Sequence, residues 1–160
     1  MTTFFSNVPI WVFPLFVLLL VLGFRASKDR KVPVLVISAM PLLGLLTVRN
    51  ILSLSPPSWI WLIAAFAYFC GVLFGMKVQH SLIGERTKRF AVVKGEWMTL
   101  TAMMLIFCAG FANGFLTAMA PFVTSSSIFL VLFVVATCAP AGHFLGRAIT
   151  TVRTKISPAT

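Results

Sequence analysis

Apolar residues in this chain run in long blocks rather than alternating or keeping to one stripe. Five such blocks lie at about residues 8–24, 32–54, 58–76, 97–121 and 126–146, with Arg49 the one charge inside them. Stretches of about 20 apolar residues are long enough to cross a hydrocarbon layer of roughly 30 Å. In lipid, only helices and closed barrels satisfy every backbone group, and the blocks lack the polar–apolar alternation of barrel strands. The pattern predicts an all-α membrane protein: one integral domain over residues 1–160, built as a bundle of five transmembrane helices.

The connections between blocks are unequal. Arg25, Lys28, Arg30 and Lys31 follow the first block, and Lys77, Arg86, Lys88, Arg89 and Lys94 follow the third. Arg147, Arg153 and Lys155 follow the fifth, whereas Arg49 is the single cation assigned to the opposite side. By the positive-inside rule this alternation places the N-terminus outside and the C-terminus inside. Trp11, Trp59, Trp61 and Trp97 fall near block ends, where indole rings favour the headgroup region. The first block has its cations on the C-terminal flank and no small-residue cleavage pattern, so it reads as a retained helix rather than a signal peptide. The connection from Lys77 to Glu96 contains the β-prone run Phe90-Ala91-Val92-Val93, preceded by a turn-like Gly84-Glu85-Arg86-Thr87. It predicts a short cytoplasmic β-hairpin between the third and fourth helices; a basic loop lying on headgroups is the other reading.

Composition narrows the class further. The chain is 59% apolar and 10% charged, with a formal net charge of +10. Soluble domains average about 45–50% apolar and about 25% charged. The cations flank apolar blocks and form no aromatic-interleaved basic patch, so the expected partners are the bilayer and its anionic headgroups on the cytoplasmic side, not nucleic acid.

Candidate chemistry is sparse. Cys70, Cys108 and Cys138 fall in different blocks with no Cys-x-x-Cys pair, and read as small packing residues. His143 has Arg147 four residues on, not a second ligand, so no metal or cofactor is expected. Asp29, Glu85 and Glu96 all lie in connections or at a block edge, which leaves no carboxylate at membrane depth for a proton-coupled cycle. Arg49 and Asn50 follow the inner start of the second block by about 17 residues, roughly 24 Å of helix, and Asn113 reaches a similar depth on the fourth. These three form a candidate polar site near the outer surface, against the plainer reading that Arg49 snorkels and Asn113 bonds a neighbouring helix.

Small residues recur at a spacing of four: Gly71 and Gly75, Gly110 and Gly114, Gly142 and Gly146. Such faces let helix backbones approach closely, within one chain or between copies in a homo-oligomer. Pro140 and His143 lie in Cys138-Ala139-Pro140-Ala141-Gly142-His143, the best candidate for a helix break.

Four segments carry a resemblance: Arg25 with Asp29-Arg30-Lys31-Val32, Gly95-Glu96-Trp97, Ile106-Phe107-Cys108 with Asn113-Gly114, and Phe144-Leu145-Gly146-Arg147-Ala148. Together they resemble a family of small bacterial multi-pass inner-membrane proteins known as a domain of unknown function. The resemblance implies a bacterial inner membrane as the location and supplies no catalytic residues. The expected function is non-enzymatic, through helix packing and lipid or protein contact. The alternatives are a small permease or channel using Arg49 and Asn113 or the Pro140 break, and a membrane redox protein using His143 or the cysteines.

Overall fold

The computed structural model describes residues 12–87 and 89–154. Trp11, Lys88 and Lys155, and the start of the first expected span, lie outside the described residues. The chain is mostly helical with one small antiparallel sheet. In order, the elements are α1 (Val12–Ala26), β1 (Arg30–Pro33), α2 (Val34–Ala39), a 3-10 turn (Met40–Leu42), α3 (Leu43–Ser53), α4 (Ser58–Leu82), β2 (Ile83–Arg86), β3 (Phe90–Val93), α5 (Met98–Met119), the one-turn α6 (Pro121–Thr124) and α7 (Ser127–Arg153).

Prolines punctuate these elements. Pro33 closes β1 and immediately precedes α2, Pro57 precedes α4, and Pro121 opens α6. Each stands where a missing amide hydrogen costs no helical bond. Pro41 falls in the 3-10 turn that separates α2 from α3. Ser126 caps α7 by accepting from the Phe129 amide at 3.2 Å.

Four helical stretches, Val34–Ser53, Ser58–Leu82, Met98–Met119 and Ser127–Arg153, are long and apolar enough to cross a membrane. The described apolar part of the first, Phe16–Ala26, is shorter. Boundaries also differ from expectation. α4 runs on to Leu82 and α7 to Arg153, so Lys77, Gln79, Arg147 and Thr151 are helical residues and not loop or tail. Val32 and Pro33 belong to a strand, and the second helix begins at Val34.

α7 is the hub of the bundle, touching α2, α3, α4 and α5. Its closest partner is α4, which runs parallel to it. A Cβ built on Gly71 would overlap the Ala139 carbonyl, and one on Gly75 the His143 carbonyl. Reciprocally, Gly142 lies against the Tyr68 carbonyl and Gly146 against the Val72 carbonyl. The two backbones therefore touch along two turns, the geometry that small residues at a spacing of four permit. Ile51, Ile60, Ala64, Ala67, Leu130, Phe133, Val134 and Cys138 fill the core towards the α3–α4 end. By contrast, among the described residues nothing stands within 4 Å of a Cβ built on Gly110 or Gly114. Among the described residues, α5 packs on α1 and α7 and barely meets α4, and this motif lies on neither contact.

The expected helix break at Pro140 and His143 is replaced by a continuous helix: α7 is unbroken through both residues. One missing amide in 27 residues is absorbed because α4 braces the helix at Gly71 and Gly75, on either side of that turn.

The expected hairpin is part of a larger sheet of order β1-β3-β2. Gly84-Glu85-Arg86 is strand rather than turn, and the reversal occurs after it, where the Thr87 amide donates to the Phe90 carbonyl at 2.8 Å. β1, from the first connection, pairs antiparallel with β3, matching Lys31 with Val92 and Val32 with Ala91. Val32, Ala91 and Val93 bury a small core with Ile37.

The glycine contacts make opposite forecasts for one motif in two places. Gly75→Val should force α4 from α7 and lower the stability of the detergent-purified protein by at least the roughly 1–3 kcal/mol of an overpacked core. Gly110→Ala and Gly114→Ala should be neutral or stabilising by up to about 1 kcal/mol, from helix propensity. Thermal unfolding midpoints of the three variants measure both.

Candidate functional site

The sheet delivers a carboxylate into the bundle. After β3 the chain is pinned to the first connection: the Gly95 amide donates to Asp29 Oδ1 at 2.6 Å and the Glu96 amide to the Ala26 carbonyl at 3.0 Å. Gly95 lies so close to the Ser27 carbonyl that a side chain has no room there. These contacts hold Glu96 at the start of α5 and turn it towards α7.

There Glu96 meets Arg147. Arg147 Nη1 forms an ion pair with Glu96 Oε1, and the two side chains are 7% and 8% exposed. Arg147 Nη1 also donates to Thr99 Oγ1 at 2.5 Å, and the Thr99 hydroxyl donates to Glu96 Oε1 at 2.7 Å. Arg147 Nε donates to Gln79 Oε1 at 2.8 Å, and Gln79 Nε2 donates to Thr151 Oγ1 at 2.9 Å. The Thr151 hydroxyl returns to the Arg147 carbonyl at 2.9 Å. Gln79, Thr99 and Thr151 are fully or almost fully buried. One network thus joins α4, α5 and α7. A lone buried charge is costly, and a guanidinium engaged through Nε and Nη1 is held in a fixed geometry that Lys cannot copy.

The register of the glycine interface places this network. Gly71 meets Ala139, Gly75 meets His143, and Gln79 bonds Arg147, each pair separated by the same 68 positions. The polar pair is the next turn of the packing stripe.

One turn from Arg147, towards the middle of α7, lies His143. It is 4% exposed, and neither ring nitrogen has a hydrogen-bond partner among the described residues. Its ring sits 5.7 Å from that of Phe74 at an interplanar angle of 39°. His143 lines a groove of about 400 Å³ whose walls include Gly71 and Phe74 from α4, Met98, Ala102 and Leu105 from α5, and Pro140 from α7. Phe74, Met98 and Leu105 are exposed, so the groove opens to the surface between α4 and α5. A second groove of about 340 Å³, walled by Leu45, Val48, Trp61 and Tyr68, lies between α3 and α4.

The candidates from sequence are distributed differently. Arg49 and Asn50 are exposed on α3. Asn113 is half-buried on α5, and its Oδ1, though buried, accepts from no group among the described residues, Arg49 and Asn50 included. Cys70 and Cys108 are exposed and Cys138 is buried, all three free. Among the described residues no cluster of three or more His, Cys, Asp or Glu could hold a metal.

Breaking one side of the network should cost more than removing both. Glu96→Gln or Arg147→Met alone should destabilise the protein by about 3–5 kcal/mol, since each strands a buried charge. The double variant should lose clearly less than the sum. Denaturation of the four proteins in one detergent completes the double-mutant cycle, and additive losses would show the pair to be uncoupled.

Comparisons with protein-family models, with curated proteins and with solved structures find no match, so function rests on the geometry of this network and its groove.

Proposed function

We propose that this chain is a multi-pass protein of a bacterial inner membrane, crossing five times with its N-terminus outside and its C-terminus inside. In this reading it acts without catalysis, as a lipid-embedded binding scaffold. The observation that carries the proposal is an inverted distribution of side chains. Leu62, Phe66 and Phe122 are 74%, 71% and 80% exposed, while Gln79 and Arg147 are 0% and 5% exposed. An apolar exterior of this extent around a polar interior suits hydrocarbon as the surrounding medium.

The placement of charge supports the orientation. Arg25, Lys28, Lys31, Lys77, Arg89 and Lys94 are exposed around the sheet and the ends of α1 and α4, whereas Arg49 stands alone near the end of α3. The cationic end suits a cytoplasmic leaflet of anionic lipid, where each such cation is worth about 1 kcal/mol. A permease built on Arg49 and Asn113 has less support, since neither residue lines either of the two grooves, and α4 and α7 meet backbone to backbone.

The orientation predicts that a green fluorescent protein fused after Thr160 fluoresces and that alkaline phosphatase inserted at Ser55 is active. The opposite pattern at both sites would refute it. Lys28→Glu with Lys31→Glu should reduce the enrichment of phosphatidylglycerol around the protein in mixed-lipid nanodiscs several-fold, read by native mass spectrometry of the lipid shell.

A further inference from the structure

We infer that the groove between α4, α5 and α7 binds a neutral, lipid-soluble ring carbonyl compound of the quinone class, with its carbonyl hydrogen-bonded to His143. The inference rests on the membrane reading above and names the ligand of that scaffold.

The first observation is His143 itself. A buried imidazole with both nitrogens unpartnered forgoes hydrogen bonds worth about 1–3 kcal/mol, and buried polar groups in folded proteins are rarely left so. A neutral imidazole presents one N–H donor and one acceptor. Since His143 lines the groove, a molecule lying there can supply the missing partner.

The second observation is charge. Among the described residues, the charges acting on His143 are those of Arg147 and Glu96, which neutralise each other through the ion pair. Gln79, Thr99 and Thr151 occupy the rest of the network. An anionic headgroup would find no cation left for it, so the floor selects a neutral hydrogen-bond acceptor over a phosphate.

The third is shape. Besides His143, the lining includes the Cys70 thiol and Thr101, whose hydroxyl is spent on the Trp97 carbonyl at 3.1 Å, and its larger walls are Phe74, Pro140, Met98 and Leu105. An aromatic face, a proline ring and a thioether are surfaces against which a flat conjugated ring packs well. The volume of about 400 Å³ falls within the range of small-molecule sites, about 300–1,000 Å³. The mouth lies between exposed residues of α4 and α5, so an apolar tail would leave directly into surrounding lipid.

Decylubiquinone, titrated into the purified protein in phosphatidylcholine nanodiscs, provides the test through quenching of tryptophan fluorescence; Trp97 adjoins the groove residue Met98. Saturable binding near one molecule per chain is expected. His143→Leu should weaken it at least tenfold, and His143→Gln, which keeps a donor, should recover part of the loss. Ala102→Phe fills the groove without touching the imidazole and should abolish binding, which keeps the test decisive if His143→Leu fails to fold. Thermal midpoints and nanodisc incorporation establish that each variant is folded. Non-saturable quenching, binding unchanged in Ala102→Phe, or phospholipid alone recovered with the protein would each overturn the inference. The reporter fusions separate the two failures: a correct orientation with no quinone binding removes the ligand and leaves the membrane reading standing.

Discussion

The contact on which the rest of this structure depends is the meeting of two backbones at Gly71 and Gly75 on α4 and Gly142 and Gly146 on α7. Such contacts are weak one by one, with Cα–H to carbonyl interactions worth about 0.5–1 kcal/mol each. Their importance lies in register. Once Gly71 faces Ala139, the next turns are no longer free: Gly75 must face His143, and Gln79 must face Arg147. A helix sliding by one residue would carry the Arg147 guanidinium away from the amide that orients it and drive a side chain into the opposing carbonyls. Packing and polar pairing therefore enforce the same alignment.

The ion pair extends that constraint to the remaining helices. Glu96 is not on α4 or α7, and it arrives only because β3, Gly95 and the end of α1 are tied together by the Asp29 and Ala26 hydrogen bonds. A well-packed apolar substitute could be as stable as a buried ion pair, but it would tolerate several arrangements of α5. A carboxylate that must reach one guanidinium tolerates one. The three-stranded sheet, with strands from both basic connections, is the rigid frame that makes this delivery reproducible.

The legible part of this fold is what composition writes over 20 residues at a time. The helices around residues 58–76, 97–121 and 126–146 follow from the apolar blocks alone, and β3 follows from Phe90-Ala91-Val92-Val93. What sequence obscured was the meaning of a charge. Lys77 and Arg147 read as ends of apolar blocks, so α4 and α7 are cut short there, and Gln79, Arg147 and Thr151 of the network fall just beyond those two cuts. A signal existed: Gly71, Gly75 and Gln79 share one stripe at a spacing of four, as do His143, Arg147 and Thr151. β1 was illegible for a different reason, because Arg30-Lys31-Val32-Pro33 becomes a strand only when β3 is beside it. Gly110 and Gly114 make the complementary point. Their spacing is identical to that of Gly71 and Gly75, yet a small-residue stripe states that a helix can be approached, not that anything approaches it.

That open stripe bears on why a groove exists at all. α5 is pinned to α7 where Thr99 and Glu96 hold Arg147, but Gly110 and Gly114 further along meet no other helix among the described residues. Beyond that fastening α5 packs on α1, with the Phe16 and Phe107 rings 5.8 Å apart, rather than on α4, and a wedge of space is left on the α4 side. Here the wedge lies between α4, α5 and α7 and begins one turn from the fastening, at His143. The polar network thus does two things through one set of bonds. It neutralises the charges that would otherwise make the inner end of the wedge attractive to ions, and it sets the separation of the walls. The result is an apolar slot whose principal unsatisfied demand is a hydrogen bond to an imidazole, and that demand follows from the packing of α5 rather than from any motif in the chain.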